Sequence, residues 1–498
     1  MRPMLLLSIL WACSGDGGRR ACPQGGERTP TVERNESVAA LEGVSEASST
    51  EATRQALAQA LDREFPLHGL VQRPQIVIRR EPRPDADAIG WLRWGERVRL
   101  ALAVERTRTC SSGWYRVAPH GWVCVGQGVE VGPQPPPPEE PPVPPARRQE
   151  PLPYDYYYVK EPMTPEYHQL PSRETQRAAA EFAARYLELL EQNERRAARM
   201  LDGELPGEPR NPPGVARFLH RGFFIAGTDV RQRAQRRFVR TPSGGFVKLA
   251  QLEARRGSEF HGFELGDEVQ LPIAWTLRDS HPRIHRVRDG EHRFVRDMEL
   301  AILPRQTVIT NLWRERVRVG DDFYHRLQSD DWEGERWLRD WFVGVAEKIE
   351  PPFEVEEDEP WIHVDLSSQT LVAYRGREPV YATLVSSGLP SHATPTGVFR
   401  IHKKMVTDTM ANLGPDAGED SYRIQDVPWT QYFEGSFALH AAFWHHRFGL
   451  QRSHGCVNLA PADAHRLFLE TWPRVPDGWH GVSTRETPFR ASRVLITE

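Results

Sequence analysis

Residues Leu439 to Asn458 read LHAAFWHHRFGLQRSHGCVN. The run Phe437-Ala438-Leu439-His440 has the character of a strand with a histidine near its end. Twelve residues separate His440 from Ser453, where the turn Ser453-His454-Gly455-Cys456-Val457-Asn458 begins. A thiol nucleophile must be ionised and exposed, and a nearby imidazole accepts its proton. Gly455 lets the backbone approach a substrate closely. Successive N–H groups around Gly455 and Cys456 are candidates for holding an oxyanion. Asn458 to Pro461 reads as the start of a helix running from Ala462 to Thr471. Cys456 lies several residues ahead of that start, and a helix dipole fades within a turn. A lone cysteine with histidines is only suggestive by itself. The rival for His440, His445, His446, His454 and Cys456 is a zinc site. Adjacent histidines suit a shared metal poorly and no HExxH is present, so no metal is expected and His445 and His446 read as loop residues.

Upstream, Trp361 to Leu366, Leu371 to Tyr374 and Val380 to Val385 alternate as strands of a meander, with turns at Ser367–Thr370 and Gly376. Thr394-Pro395-Thr396-Gly397 turns into the strand Val398–Ile401. Taken together, WIHVDLSSQTLVAY, SSGLPSHATPTGVFRI, DVPWTQYFEG and the histidine followed by Ser-His-Gly-Cys resemble the YkuD-type L,D-transpeptidases. The resemblance implies a β-sandwich-like catalytic domain over 361–498, with a short helix after the cysteine. It implies Cys456 as nucleophile and His440 as base, the ring held by the carbonyl of Ala441, where the family often has Gly or Ser. His454 and Gly455 would shape the oxyanion site, and Ser453 and Asn458 would support the loop. Trp444 would line the pocket, with Tyr422 and Tyr432 as lid or pocket residues. The implied reaction needs no cofactor. Cys456 takes the acyl group of a peptidoglycan tetrapeptide stem, D-Ala leaves, and an amine acceptor resolves the thioester. That acceptor is a second stem, giving a 3→3 cross-link, or an envelope protein lysine. The alternatives are hydrolysis of wall-protein links by the same cysteine, and a non-catalytic peptidoglycan-binding envelope lipoprotein.

The remainder reads as a mainly β, multidomain chain. Its 498 residues exceed one ordinary core. A net charge of −4 lacks the basic excess of a nucleic-acid binder. Arg2, an apolar run and Cys13 over residues 1–13 resemble a signal peptide with a lipobox. Cys13 is then the lipidation site, 14–66 a flexible tether with a helix between Val44 and Arg63, and the location the cell envelope, periplasmic and membrane-anchored. Over 67–131, IVIRREPRPDADAIGWLRWGERVRL and GWYRVAPHGWVCV resemble a bacterial SH3-like small barrel. Cys110 and Cys124 flank its last hairpin and are candidates for a disulfide in an exported protein. Residues 132–172 form a proline-rich linker expected to be extended. The region 173–350 reads as a helix from Arg173 to Leu201 followed by β-rich sequence, with degenerate SH3-like units at Phe238–Lys248 and Val317–Val345. Residues 351–360 are an acidic linker.

Overall fold

The computed structural model describes residues 51–137, 143–201, 211–310, 312–327, 335–412, 422–484 and 490–498. The expected signal segment and Cys13 lie outside them. The chain is mainly β, with its strands in several sheets.

The C-terminal part is a two-sheet sandwich. One sheet runs in the order Phe263–Glu264, Glu378–Leu384, Thr370–Arg375, Pro360–Asp365, Arg493–Thr497, Gly397–Arg400. The facing sheet holds Lys403–Asn412, Tyr422–Glu434, Phe437–Ala441 and Val457–Leu459. Between them Ile362, Val364 and Leu371 meet Val406, Trp429, Leu439 and Val457, with Leu467 and Phe468 of the helix Pro461–Glu470 closing the core. The strand alternation read from Trp361 to Val385 is thus real, and its inward positions are core. The long pair Lys403–Asn412 with Tyr422–Glu434 was not anticipated. Its polar residues, such as Lys404, Gln431 and Asp426, are buried against specific partners and break the apolar pattern.

The N-terminal strands form an antiparallel run ordered Ala88–Leu92, Ile76–Arg79, Trp122–Cys124, Cys110–Val117, Arg97–Thr107, Leu67–Val71, Val129–Gly132. Cys110 and Cys124 are joined in a disulfide across this run. The expected closed barrel is not formed. The edge strand Ala88–Leu92 instead pairs with Gly481–Ser483 of the C-terminal part. The physical cause is apolar: Trp479 is fully buried and fills this module's core together with Val482. Gly90 allows it, because a Cβ there would lie 2.3 Å from the Trp479 ring. A charged network seals the same seam. Arg93 reaches Asp426 and Thr407, while Glu96 holds Arg148 at 2.9 Å and His480 at 3.3 Å.

The expected linker over 132–172 also requires correction. From Val143 onward the segment is built into the body. Trp429 Nε1 donates to the carbonyl of Pro151 at 2.7 Å, and His465 bonds the carbonyl of Arg148 at 2.8 Å. The strand Asp155–Val159 then pairs with Phe224–Gly227 and Leu252–Arg255. Proline-rich sequence is extended by itself, but here the chain turns back, with the N–H of Arg147 donating to the carbonyl of Pro153 at 3.0 Å, and a tryptophan and a histidine hold that turn. The acidic linker is likewise held, with Phe353 edge-on to Trp361 at 5.4 Å and Pro360 already in a strand.

The middle helix divides at Asn193 into Arg173–Gln192 and Glu194–Leu201. Ser172 caps the first by accepting from the N–H of Thr175. Phe238–Arg240 and Phe246–Lys248 do pair, within an open five-stranded sheet. The unit expected over Val317–Val345 is split: its first strands join one sheet and Val343–Ala346 another. The middle region extends the catalytic sheet: Phe224–Gly227 lies parallel to Tyr422–Glu434, with Phe224 opposite Ile424, and Asp155–Val159 and Leu252–Arg255 continue the sheet beyond it.

Candidate active site

The site is built on two parallel strands. Leu439 pairs with Val457, His440 with Asn458 and Ala441 with Leu459. Leu439, Ala441, Val457 and Leu459 all point into the sandwich and are fully buried. Alternation therefore sends His440 and Asn458 to the opposite face, while Cys456 sits in the bend just before Val457, its thiol 3.9 Å from the carbonyl of Ser436.

His440 Nδ1 lies 3.2 Å from the carbonyl of Ala441. A carbonyl accepts only, so Nδ1 carries the proton and Nε2 keeps its lone pair. Burial pushes the His440 pKa down to about 4, which keeps the ring neutral near pH 7. Burial pushes the Cys456 thiol up to about 11, opposed by the backbone of Ala438. The resting pair is therefore a neutral thiol and a neutral base. The strand Val457–Leu459 stands between Cys456 and the helix start at Pro461, and the helix dipole is spent before it reaches the sulfur.

The turn before Cys456 is wired through nearly every polar group. Ser453 Oγ accepts from the N–H of Gly455 at 3.0 Å and donates to the carbonyl of Cys456. Thr394 Oγ1 donates to the carbonyl of Gly455 at 2.8 Å and accepts from the N–H of Gly388 at 2.9 Å. Asn458 exchanges two backbone bonds of 2.9 Å with Ser386. Gly455 sits at φ +108°, and a Cβ there would lie 2.4 Å from the Phe437 ring, so both strain and space demand glycine. One expectation changes. The Gly455 N–H is taken by Ser453, so an oxyanion donor from this turn has to come from a neighbouring N–H.

The other expected residues gather around this pair. Trp444 stands 5.7 Å from the His440 ring and also touches Phe224 of the middle region. His454 lies between the rings of His392 and Tyr422, at 4.6 and 5.3 Å. Burial raises the pKa values of Tyr422 and Tyr432, and for Tyr432 the carboxylate of Asp408 adds to the shift. Tyr432 donates to Asp408 at 3.1 Å, and Asp408 pairs with Lys403 at 2.9 Å. His445 reaches the Asn458 amide at 3.0 Å, and burial pushes its pKa down to about 3. Among the described residues no three His, Cys, Asp or Glu side chains gather as a metal-binding set.

The sequence reading missed the supports behind this turn. Ser386, Gly388 and Thr394 lie within SSGLPSHATPTG, whose small polar residues between glycines are the signal for such a brace. Asp463 is fully buried and accepts from Tyr381, Thr383 and the N–H of Gly262. Its role depends on a middle-region backbone group and leaves no local signal.

A buried neutral imidazole with a fixed tautomer, on a strand paired to the one that opens right after a cysteine, is a layout suited to thiol-based acyl transfer. Residues 359–473 match the family model described as the L,D-transpeptidase catalytic domain, YkuD. No curated protein matches the chain. Among solved structures, the chain is similar to a cysteine-to-serine mutant of the Enterococcus faecium L,D-transpeptidase, at 23% identity over 31% of this chain and 55% of that one, TM-score 0.22. It is similar to an L,D-transpeptidase from Stackebrandtia nassauensis at 22% identity, over 29% of this chain and 57% of that one, TM-score 0.21. The L,D-transpeptidase from Mycobacterium smegmatis is 17% identical over 36% of this chain and 91% of that one, TM-score 0.23. The chain thus spans a little over half the length of the first two.

Proposed function

We propose that the chain is a peptidoglycan L,D-transpeptidase working through Cys456 and His440. The observation that carries this reading is the pairing of the His440 strand with the strand that opens one residue after Cys456, with the imidazole tautomer set by the carbonyl of Ala441. In the forward half, the thiol proton passes to His440 Nε2 as sulfur bonds to the carbonyl carbon of the stem's diamino acid. The resulting oxyanion collapses, the C–N bond to D-Ala breaks, and the departing amine takes the proton from the imidazolium. In the second half an acceptor amine attacks the thioester and gives its proton to His440, and the C–S bond breaks to restore the thiol. Neutral partners at rest support deprotonation of Cys456 by His440 as the substrate is attacked, over a preformed ion pair.

The test is intact-protein mass and product analysis with a disaccharide-tetrapeptide. The expected result is released D-Ala, a Cys456 acyl adduct and a 3→3 dimer. Cys456→Ala abolishes all three, and His440→Ala slows them by roughly 10²- to 10⁴-fold. Meropenem gives a covalent adduct on the same thiol. Release of D-Ala with tripeptide and no dimer would assign a hydrolase; no release and no adduct would leave a wall-binding protein. We place the protein in the cell envelope, periplasmic and anchored through Cys13. Labelled palmitate that fails to enter Cys13→Ala while entering the wild type is the expected outcome.

A further inference from the structure

The sheet that carries His440 runs without a break into the N-terminal module. Its successive neighbours are Val457–Leu459, Phe437–Ala441, Tyr422–Glu434, Lys403–Asn412, Gly481–Ser483 and Ala88–Leu92. The registers fix which side chains share a face. Trp91 is opposite Gly481, and Gly481 is opposite Met405. Lys403, two residues before Met405, is opposite Tyr432, and Tyr432 is opposite Ala438. His440 lies two residues beyond Ala438. A period of two puts Trp91, Lys403, Tyr432 and His440 on one face. Tyr432 and His440 are diagonal neighbours, on the order of 8 Å apart at Cα and within reach of an aromatic side chain. The Cys456 sulfur lies 3.9 Å from the carbonyl of Ser436, in the turn of that same hairpin.

On this face three side chains close around one ammonium. Lys403 Nζ stands 4.9 Å from the centre of the Trp91 ring and 4.9 Å from that of the Tyr432 ring. It also donates to Asp408 Oδ2 at 2.9 Å. Tyr432 donates its hydroxyl proton to the same oxygen at 3.1 Å, and the other Asp408 oxygen accepts from the N–H of Thr409 at 2.9 Å. A Lys–Asp pair at the surface, on a flexible four-carbon stem, holds no fixed geometry by itself. Here the Lys403 and Asp408 side chains are only 28% and 27% exposed, and cation–π contact with two rings fixes the ammonium. Tyr432 and Asp408 belong to the catalytic sheet, whereas the second ring comes from the N-terminal module. Trp91 is placed by its own strand, paired to Val77 on one side and Gly481 on the other. The Tyr432 hydroxyl spends its proton on Asp408, so toward a ligand it can only accept.

We propose that Trp91 is a positioning residue of the active site: it steadies Lys403 and Asp408 so that the Tyr432 oxygen is presented as an acceptor to an N–H of the stem peptide. The proposal rests on the transpeptidase reading and deepens it. It makes the N-terminal module part of the apparatus that recognises the stem.

The experiment is a double-mutant cycle on the full-length protein, with kcat/KM read from D-Ala release from a disaccharide-tetrapeptide. Trp91→Ala and Tyr432→Phe are each expected to lower it roughly tenfold, as for one lost hydrogen bond. The double variant is expected to be no slower than Tyr432→Phe alone. Trp91→Phe keeps a ring over the ammonium and recovers most of the loss. A merely structural role would give Trp91→Ala the same effect with or without the Tyr432 hydroxyl. Losses that multiply in the double variant, an unchanged Trp91→Ala enzyme, or a Trp91→Phe enzyme as slow as Trp91→Ala therefore overturn the proposal. Lys403→Met takes the place of Trp91→Ala in the cycle if the latter does not unfold cooperatively, because it removes the ammonium and leaves the strand pairing of the seam intact. The Cys456 thioester is read on the wild type by mass. Its absence overturns the transpeptidase reading and the proposal with it; its presence together with multiplying losses overturns the proposal alone.

Discussion

At the scale of single residues, the site is governed by desolvation. Cys456 is pushed up to about 11 and His440 down to about 4, both chiefly by burial. Each neutral form is favoured where water is scarce. The thiolate is the species that reacts with iodoacetamide, and a raised thiol pKa moves its appearance to higher pH. Alkylation of Cys456, followed by mass, should therefore keep accelerating from pH 7 toward pH 11. A plateau reached near pH 6 would mean a resting thiolate–imidazolium pair and would sink this picture. Lys404 illustrates the same physics away from the site. It is fully buried, donates to the carbonyls of Phe468 and Thr471 at the end of the helix, and is held well below its ordinary pKa by burial. In the unfolded chain the lysine binds a proton that the folded one refuses. This group's contribution to stability therefore grows as pH rises through the depressed value toward 10.5 and is flat above it. Urea unfolding of wild type and Lys404→Met across that range should show the gap widening in favour of wild type.

Among elements, hydrogen-bonded braces carry the specificity that strands alone lack. Asp463 on the final helix satisfies Tyr381, Thr383 and the N–H of Gly262. Asp463→Ala strands three buried donors at about 1 to 3 kcal/mol each, so a loss of several kcal/mol is expected by urea unfolding. Hydrogen exchange should rise at Gly262, where the middle segment is tied down. In the N-terminal sheet the disulfide closes a loop with a sequence separation of 14. By the loop-entropy argument it stabilises by about 3 kcal/mol. Reduction should lower the melting temperature by a matching amount, and a Cys110→Ser, Cys124→Ser variant should show no response to reductant. The strands of the meander were legible because nearly every position is apolar, Ile362, Val364 and Leu371 packing in one core and Trp361, Val372 and Tyr374 in another on the opposite face. The pair Lys403–Asn412 and Tyr422–Glu434 was not, since its buried positions are polar and partnered by residues far along the chain.

On the scale of the whole molecule, the modules are interlocked. The matched segment 359–473 stops short of two strands the sandwich uses. Arg493–Thr497 lies between Pro360–Asp365 and Gly397–Arg400, and Gly481–Ser483 joins Lys403–Asn412 to the N-terminal sheet. A fragment limited to 359–473 is expected to show no cooperative unfolding transition by circular dichroism. Deleting residues 51–132 from the full chain would expose Trp479 and Val482, each worth about 2 kcal/mol of burial, and would leave Asp426 without Arg93. That variant should melt at lower temperature than wild type; an unchanged transition would show the modules to be independent.

The sequence by itself determined the local matters. These are the strand alternation after Trp361, the glycine demanded before Cys456, the pairing of His440 with its own neighbour's carbonyl, and the breaks at proline and glycine. All of these depend on residues a few positions apart, where backbone sterics and side-chain period act directly. Only the tertiary structure decided that an apparent linker is a fixed strap, that an apparent barrel stays open to receive Trp479, and that Arg305 reaches the carbonyl of Phe448. Those outcomes turn on apolar burial and charge contacts between residues more than a hundred positions apart, and such contacts leave no mark on the sequence around either partner.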